Sequence, residues 1–221
     1  MKNYGILLSI CLLLNDFCRA QIPVSQEPRH HKILENDHLR LLDVHIPPGD
    51  TSMIHIHATP SVFVIINNVK NGSQVISEED HSKSPIPHFG NIWFEGFYEK
   101  PRIHRVWNSD TAEFHVMDIE LTNKNYVTID GPVKQAPFTF LFDEKPVRAY
   151  RLDLQPTVNI SIMPDKAEIL MILLTDSATS LQANEKDFHK KGDFLYISSG
   201  TKLVLKNGSH EKATFAFFEL K

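Results

Sequence analysis

Beyond residue 30 the chain is written as short runs rich in Val, Ile, Phe and Leu, each closed by a turn signal, and that rhythm restricts the fold more than any other feature. LRLLDVHI (39 to 46), SMIHIH (52 to 57), VFVIIN (62 to 67), GSQVIS (72 to 77), NIWFEG (91 to 96), RIHRVW (102 to 107) and AEFHVMDIEL (112 to 121) are separated by PPGD, NNVKNG and NSDT. Strand-length apolar runs bounded by such turns predict an all-β sandwich or barrel. Helical periodicity is sparse, so few helices are expected. The segment EEDHSKSPIPHFG (78 to 90) is polar and carries two prolines, which predicts an ordered loop rather than a strand.

The rhythm then repeats. After a connector over residues 122 to 146 come VRAYRLDL (147 to 154), VNISIM (158 to 163), EILMILLT (168 to 175), DFLYIS (193 to 198), TKLVLKN (201 to 207) and ATFAFFEL (213 to 220). Two similar halves predict a tandem, one barrel over residues 30 to 121 and a second over 147 to 221. HRVWNSDTAEFHVMDIEL (104 to 121) and LVLKNGSHEKATFAFFEL (203 to 220) align without a gap. That register sets Asn108 opposite Asn207, Glu120 opposite Glu219, and His104 opposite Leu203.

The first twenty residues differ in kind. Lys2, an apolar run from Ile6 to Leu14, and Ala20 before Gln21 form a secretory signal pattern, which predicts a periplasmic or secreted mature chain. The run is too short to span a bilayer and no later stretch approaches ~18 consecutive apolar residues, so stable membrane insertion is not expected. Both cysteines, Cys11 and Cys18, fall inside this segment. The mature chain then has no thiol, which excludes a disulfide framework, a cysteine nucleophile and thiolate-held zinc. Loss of Lys2, Asp16 and Arg19 leaves it one unit more negative than the formal −4 of all 221 residues, with no basic stripe for nucleic acid. A hydrophobic content of 42% suffices for a packed core.

On a strand, side chains alternate between faces, so His55 and His57 point one way while Ile54 and Ile56 point the other. A third imidazole, His104, lies in PRIHRVWN, again within a strand run. If that face lines a barrel interior, three imidazoles can hold one divalent transition metal (Fe, Cu, Ni, Mn or Zn) and leave coordination positions open. Gly49, the five residues DTSMI and then His55-Ile56-His57 resemble the first motif of the cupin family. Pro101, His104 and Asn108 resemble its second motif, with Arg102 or Ile103 where a glycine is usual.

The resemblance implies two jelly-roll barrels in tandem, a bicupin, with metal held inside the first through His55, His57 and His104. It also implies a glutamate at position 61 or 62, where this chain has Ser61 and Val62. A three-histidine set without the carboxylate is also found among cupin-like enzymes, notably the thiol dioxygenases. Glu95 in NIWFEGFYEKP is the candidate replacement carboxylate, and His45 and His115 on flanking strands are candidates to orient the ligand rings from behind. His30 and His31 read as a solvated N-terminal segment, and Asn71-Gly72 and Asn207-Gly208 as hairpin turns. Trp93, Phe94, Phe97, Tyr98 and Trp107 read as core or pocket aromatics.

The second half keeps the strand rhythm but has NISIMPD (159 to 165) where a His-x-His would fall, so one metal per chain and a degenerate second barrel are expected. The leading functional expectation is an exported metal-dependent enzyme of oxygenase type acting on a small organic molecule. The competing one is a non-catalytic binding or structural bicupin whose metal or histidines stabilise the barrel; a homodimer is compatible with either. No nucleophile-elbow, phosphate-loop or dinucleotide-binding pattern occurs. Protein from the native host should have a mass that begins near Gln21; an intact Met1, or recovery from the cytoplasm alone, would refute the signal reading.

Overall fold

The computed structural model describes residues 21–67, 69–76, 90–164, 166–176 and 180–221. The expected signal segment, and the loop expected from residue 78 with His81 and His88, lie outside the described residues. The first half forms β1 (Ile22–Pro23), β2 (His30–Glu35), β3 (Leu39–Ile46), β4 (His55–His57), β5 (Ser61–Ile65), β6 (Asn71–Val75), β7 (Ile92–Glu95), β8 (Arg102–Asn108) and β9 (Phe114–Leu121). The second forms β10 (Phe138–Asp143), β11 (Val147–Leu154), β12 (Asn159–Ile162), β13 (Glu168–Leu173), β14 (Leu181–Ala183), β15 (Lys186–Phe188), β16 (Phe194–Ile197), β17 (Leu203–Asn207) and β18 (Ala213–Leu220). One 3-10 turn, Val24–Gln26, is the sole helical element among the described residues.

Each half folds into two sheets; the large sheets have the same order, and the small ones share three strands with a fourth added at opposite edges. The first half has a small sheet β1-β4-β8-β6 and a large one β2-β3-β9-β5-β7; the second has β12-β17-β14-β15 and β10-β11-β18-β13-β16. Strand β10 forms inside the stretch expected to be a connector, where the neighbouring DGP and KQAP turn signals obscured the run FTFLFD that pairs along β11. Asn71 and Gly72 are not a hairpin turn but the start of β6. Gly72 pairs with Trp107, whose indole lies 2.2 Å from where a Cβ would sit, so a side chain there has no room.

The internal alignment holds residue by residue. Asn108 donates through Nδ2 to the carbonyls of Ile46 and Ala112. Asn207 donates likewise to the carbonyls of Leu154, Gln155 and Glu211. Both asparagines are buried, and each ties the end of its small-sheet strand to the large sheet, satisfying carbonyls that strand pairing leaves open. The preceding turns match as well: Gly49 takes a left-handed φ of 74°, open to glycine without penalty, and Thr157 holds the equivalent position at 60°. The Gly49 amide donates to the Asn108 carbonyl, which fixes how the chain leaves β3 for the His-x-His strand.

Strand alternation divides the large sheets between two cores. Leu39 and Leu41 of β3 and Met117, Ile119 and Leu121 of β9 face the second barrel and share one cluster with Val147, Ala149, Ala216, Phe218 and Leu220. The two large sheets therefore pack against each other. The alternate positions turn inward: Leu42, Val44, Ile46, Phe114 and Val116 in the first barrel, and Tyr150, Leu152, Phe215 and Phe217 in the second. Because the inter-barrel core is common to both halves, Phe218→Ala should cost ~3–5 kcal/mol and lower a single transition shared by both barrels; denaturant unfolding followed by far-ultraviolet circular dichroism checks this, and two separate transitions would contradict it.

Candidate metal centre

Strand β4 runs antiparallel to β8 with His55 opposite His104, Ile56 opposite Ile103 and His57 opposite Arg102. Directly opposed residues have neighbouring Cβ atoms, so the alternation of one strand and the register of its partner bring three imidazoles together. Ring centroids are 5.1 Å apart for His55–His57, 4.6 Å for His55–His104 and 4.9 Å for His57–His104. One nitrogen from each ring lies within 4.8 Å of the other two. All three residues are buried, at 1%, 3% and 8% exposure for His55, His57 and His104.

Hydrogen bonding assigns the nitrogens. His55 Nδ1 is 2.8 Å from the Met53 carbonyl and His104 Nδ1 is 3.0 Å from Ser73 Oγ. His55 Nε2 and His104 Nε2 are then buried without a partner. Unpaired buried acceptors are costly and are retained where something else binds them. Burial, followed by the charges of neighbouring groups, lowers the His55 pKa to about 4 and that of His104 to about 2, and pushes His57 well below its ordinary value. The rings are thus neutral near pH 7, the form in which imidazole ligates a metal. The donor set fits a divalent transition ion, which His55, His57 and His104 would hold.

The triad opens on a cavity of about 590 Å³ inside the first barrel, within the range of small-molecule sites. Equivalent positions in the second barrel are filled. Ile162 pairs with Leu203 where His55 pairs with His104, and the aromatic Phe217 stands where β9 has Asp118.

The other expected residues fall differently. Glu95 lines the cavity, but its carboxylate accepts from Arg102 Nη1 at 2.8 and 2.9 Å and from Trp93 Nε1 at 3.0 Å, so it is engaged in an ion pair. His45 and His115 do not stand behind the triad. They occupy the opposite face of β3 and β9 and bond to Asp43 and Glu113, because odd-numbered residues of both strands turn away from the barrel interior. The two candidate positions for the missing glutamate also separate: Val62 packs in the inter-barrel core, facing away, while Phe63 and Ile65 line the cavity. Ser61 shares their face by strand alternation. Substituting glutamate at 62 would therefore bury a charge between the barrels.

Two cavity residues were not legible beforehand. His30, expected in a solvated segment, is buried and lines the cavity with its ring 4.9 Å from that of His55. Its Nδ1 is 2.7 Å from Glu27 Oε2. Burial alone would raise the pKa of Glu27, but hydrogen bonds from His30 and from the Met53 and Arg29 amides, with the His30 charge, bring it down to about 2. Asp118, at 1% exposure, points its carboxyl into the same cavity with neither oxygen hydrogen-bonded and Oδ2 3.6 Å from His57 Nδ1. Burial, and then the nearby Glu120, push its pKa well above the ordinary carboxyl range. The two acidic residues of the mostly apolar strand FHVMDIEL were the available signal for Asp118; nothing in the sequence around His30 distinguished it.

An unsatisfied buried carboxyl is kept at a cost to stability. Asp118→Leu should therefore raise the stability of the metal-free protein by ~1–3 kcal/mol. Thermal melts of chelator-treated protein measure this; a destabilised metal-free variant would contradict this account.

No protein-family model and no curated protein matches the sequence. Solved structures do match. AerE from Microcystis aeruginosa is 11% identical over 88% of this chain and 98% of its own, with a TM-score of 0.56. Salicylate 1,2-dioxygenase from Pseudoaminobacter salicylatoxidans, in adducts with gentisate, is 10% identical over 99% of this chain and 80% of its own, with a TM-score of 0.58. A cupin 2 conserved barrel domain protein from Leptotrichia buccalis is 11% identical over 86% and 87%, with a TM-score of 0.54. Identities this low speak for fold alone, and the fold of this chain is that of the cupins, built as two β-barrels in tandem.

Proposed function

We propose that the chain is an exported, metal-dependent cupin enzyme that carries out an oxygenase-type reaction on a small organic molecule inside its first barrel. The observation that supports this best is the placement of three buried neutral imidazoles, each with an unpartnered nitrogen, on the wall of a cavity of about 590 Å³. A metal held only to brace the barrel would need no such space, and the second barrel packs its interior without one. When bound, a divalent transition metal supplies Lewis acidity and a centre at which oxygen or substrate can be activated.

The chain's own residues do the rest. Val44, Ile46, Ile65 and Phe114 give the cavity an apolar wall. Trp93 stacks on Phe63 at 5.1 Å, and this pair offers a flat apolar face to a ring or planar group. Arg102 and Glu95 present a paired charge at the level of His57, which orients a polar substituent. Met53 and Ser73 hold the His55 and His104 rings through Nδ1, so that Nε2 is the ligating atom in each. His30, fixed through Nδ1 by Glu27, keeps Nε2 for proton exchange with whatever occupies the cavity.

Replacing His55, His57 and His104 together by alanine, in protein whose circular dichroism is unchanged, should remove one equivalent of bound transition metal per chain. Unchanged content by elemental analysis would overturn the site. Metal-loaded protein should then consume oxygen with a small organic substrate; gentisate and salicylate, from the names of the structural neighbours, are first choices for the screen. Binding in the cavity without any oxygen uptake would favour the non-catalytic reading.

A further inference from the structure

A second group of metal-ligating side chains lies on the outer face of the first barrel's large sheet, away from the cavity. His45 on β3 is the direct cross-strand partner of His115 on β9, and Asp43 lies two residues before His45 on the same face. The imidazoles stack with centroids 4.2 Å apart and planes 23° apart. Both Nε2 atoms meet the one carboxyl of Asp43, His115 at 2.6 Å from Oδ1 and His45 at 3.0 Å from Oδ2. Glu113 adds a second carboxylate, 2.8 Å from His45 Nδ1.

We propose that Asp43, His45 and His115, with Glu113 beside them, form a second transition-metal site, suited to zinc, distinct from the triad in the barrel. Four features support it. One donor atom each from Asp43, His45 and His115 lies within 4.8 Å of the others, close enough for small side-chain rotations to converge them on one ion. Two imidazoles and a carboxylate are a borderline-soft donor set of the kind that zinc takes, with a position left for water. The group is partly exposed, so an ion can enter from solvent without the barrel opening. Gly192, from the turn before β16, lies beside the His115 ring and leaves it room: an added Cβ there would come to 3.0 Å from Cε1.

Comparison with the second barrel sharpens the point. The positions equivalent to Asp43, His45, Glu113 and His115 are Arg151, Asp153, Lys212 and Thr214. There Asp153 is bound by Arg151 at 3.3 Å, Lys212 at 3.5 Å and Thr214 Oγ1 at 2.7 Å, a cluster whose cations cannot ligate. The first barrel has carboxylates where the second has Arg151 and Lys212, and imidazoles where it has Asp153 and Thr214, so all four of its side chains can offer a lone pair to a metal.

The test is zinc titration of chelator-treated mature protein against a competing indicator, comparing wild type, the double variant His45→Gln and His115→Gln, and the triple variant His55→Ala, His57→Ala and His104→Ala. Glutamine keeps hydrogen-bonding capacity at the sheet face, so the double variant should fold. Two zinc ions per wild-type chain, one in the double variant and one in the triple variant, is the expected result. An unchanged zinc count in the double variant, or no zinc in a folded triple variant, overturns the second site. Failure of the triad reading shows separately, as a triple variant that loses nothing.

Discussion

The packing of one large sheet against the other is the interaction on which this molecule depends. A single barrel of this kind would leave the outward face of β3, β5 and β9 in water, yet that face carries Leu39, Leu41, Val62, Val64, Met117 and Ile119, all buried here against the second barrel. Burial at roughly 25 cal/mol per Å² of apolar surface makes this shared core a major source of stability. The first barrel needs it. Its own interior contains a cavity, unpaired imidazole nitrogens and an unpaired carboxyl, each of which subtracts from stability. The second barrel, filled by Tyr150, Phe188, Phe215 and Phe217, has no such burden and offsets it.

The two halves share one frame and differ in what fills it. Asn108 and Asn207 tie the sheets together in the same way, and the ion pair of Arg40 with Glu120 recurs as Arg148 with Glu219 at the equivalent strand positions. These satisfy buried polar groups that the fold creates wherever it is built, so they persist in both copies. The interior substitutions run the other way. His55, His104 and Asp118 of the first barrel correspond to Ile162, Leu203 and Phe217 of the second, a trade of polar donors for apolar volume that converts a site into a core.

The candidate site also shows how ring orientation is set. Each triad imidazole has something different behind it: a backbone carbonyl for His55, a serine hydroxyl for His104, and a carboxyl slightly beyond hydrogen-bonding reach for His57. His57 is therefore the least constrained ring by hydrogen bonding, although Phe63 and Phe97 flank it at 5.5 Å. The Glu27–His30 pair enters from the N-terminal segment, which β1 secures by pairing Ile22 with His55. His30 opens β2, the counterpart of β10, and stands where the second barrel has Phe138.

Local periodicity by itself determined the strands and most of the triad. Alternation obliges His55 and His57 to share a face, and the runs LRLLDVHI, VRAYRLDL and ATFAFFEL became strands with the same end residues. The matched halves were legible because turn residues such as Asn108 and Asn207 answer to local hydrogen-bonding needs. Tertiary structure decided whatever depends on which face of a strand meets which partner. A strand's two faces look alike in sequence when both are buried, so nothing local told that Val62 faces the second barrel, that His45 and His115 face outward, or that Asp118 points inward. His30 became a cavity residue only because a distant segment, residues 22 to 30, folds back over β4, and contacts between residues far apart in the chain leave no period to read.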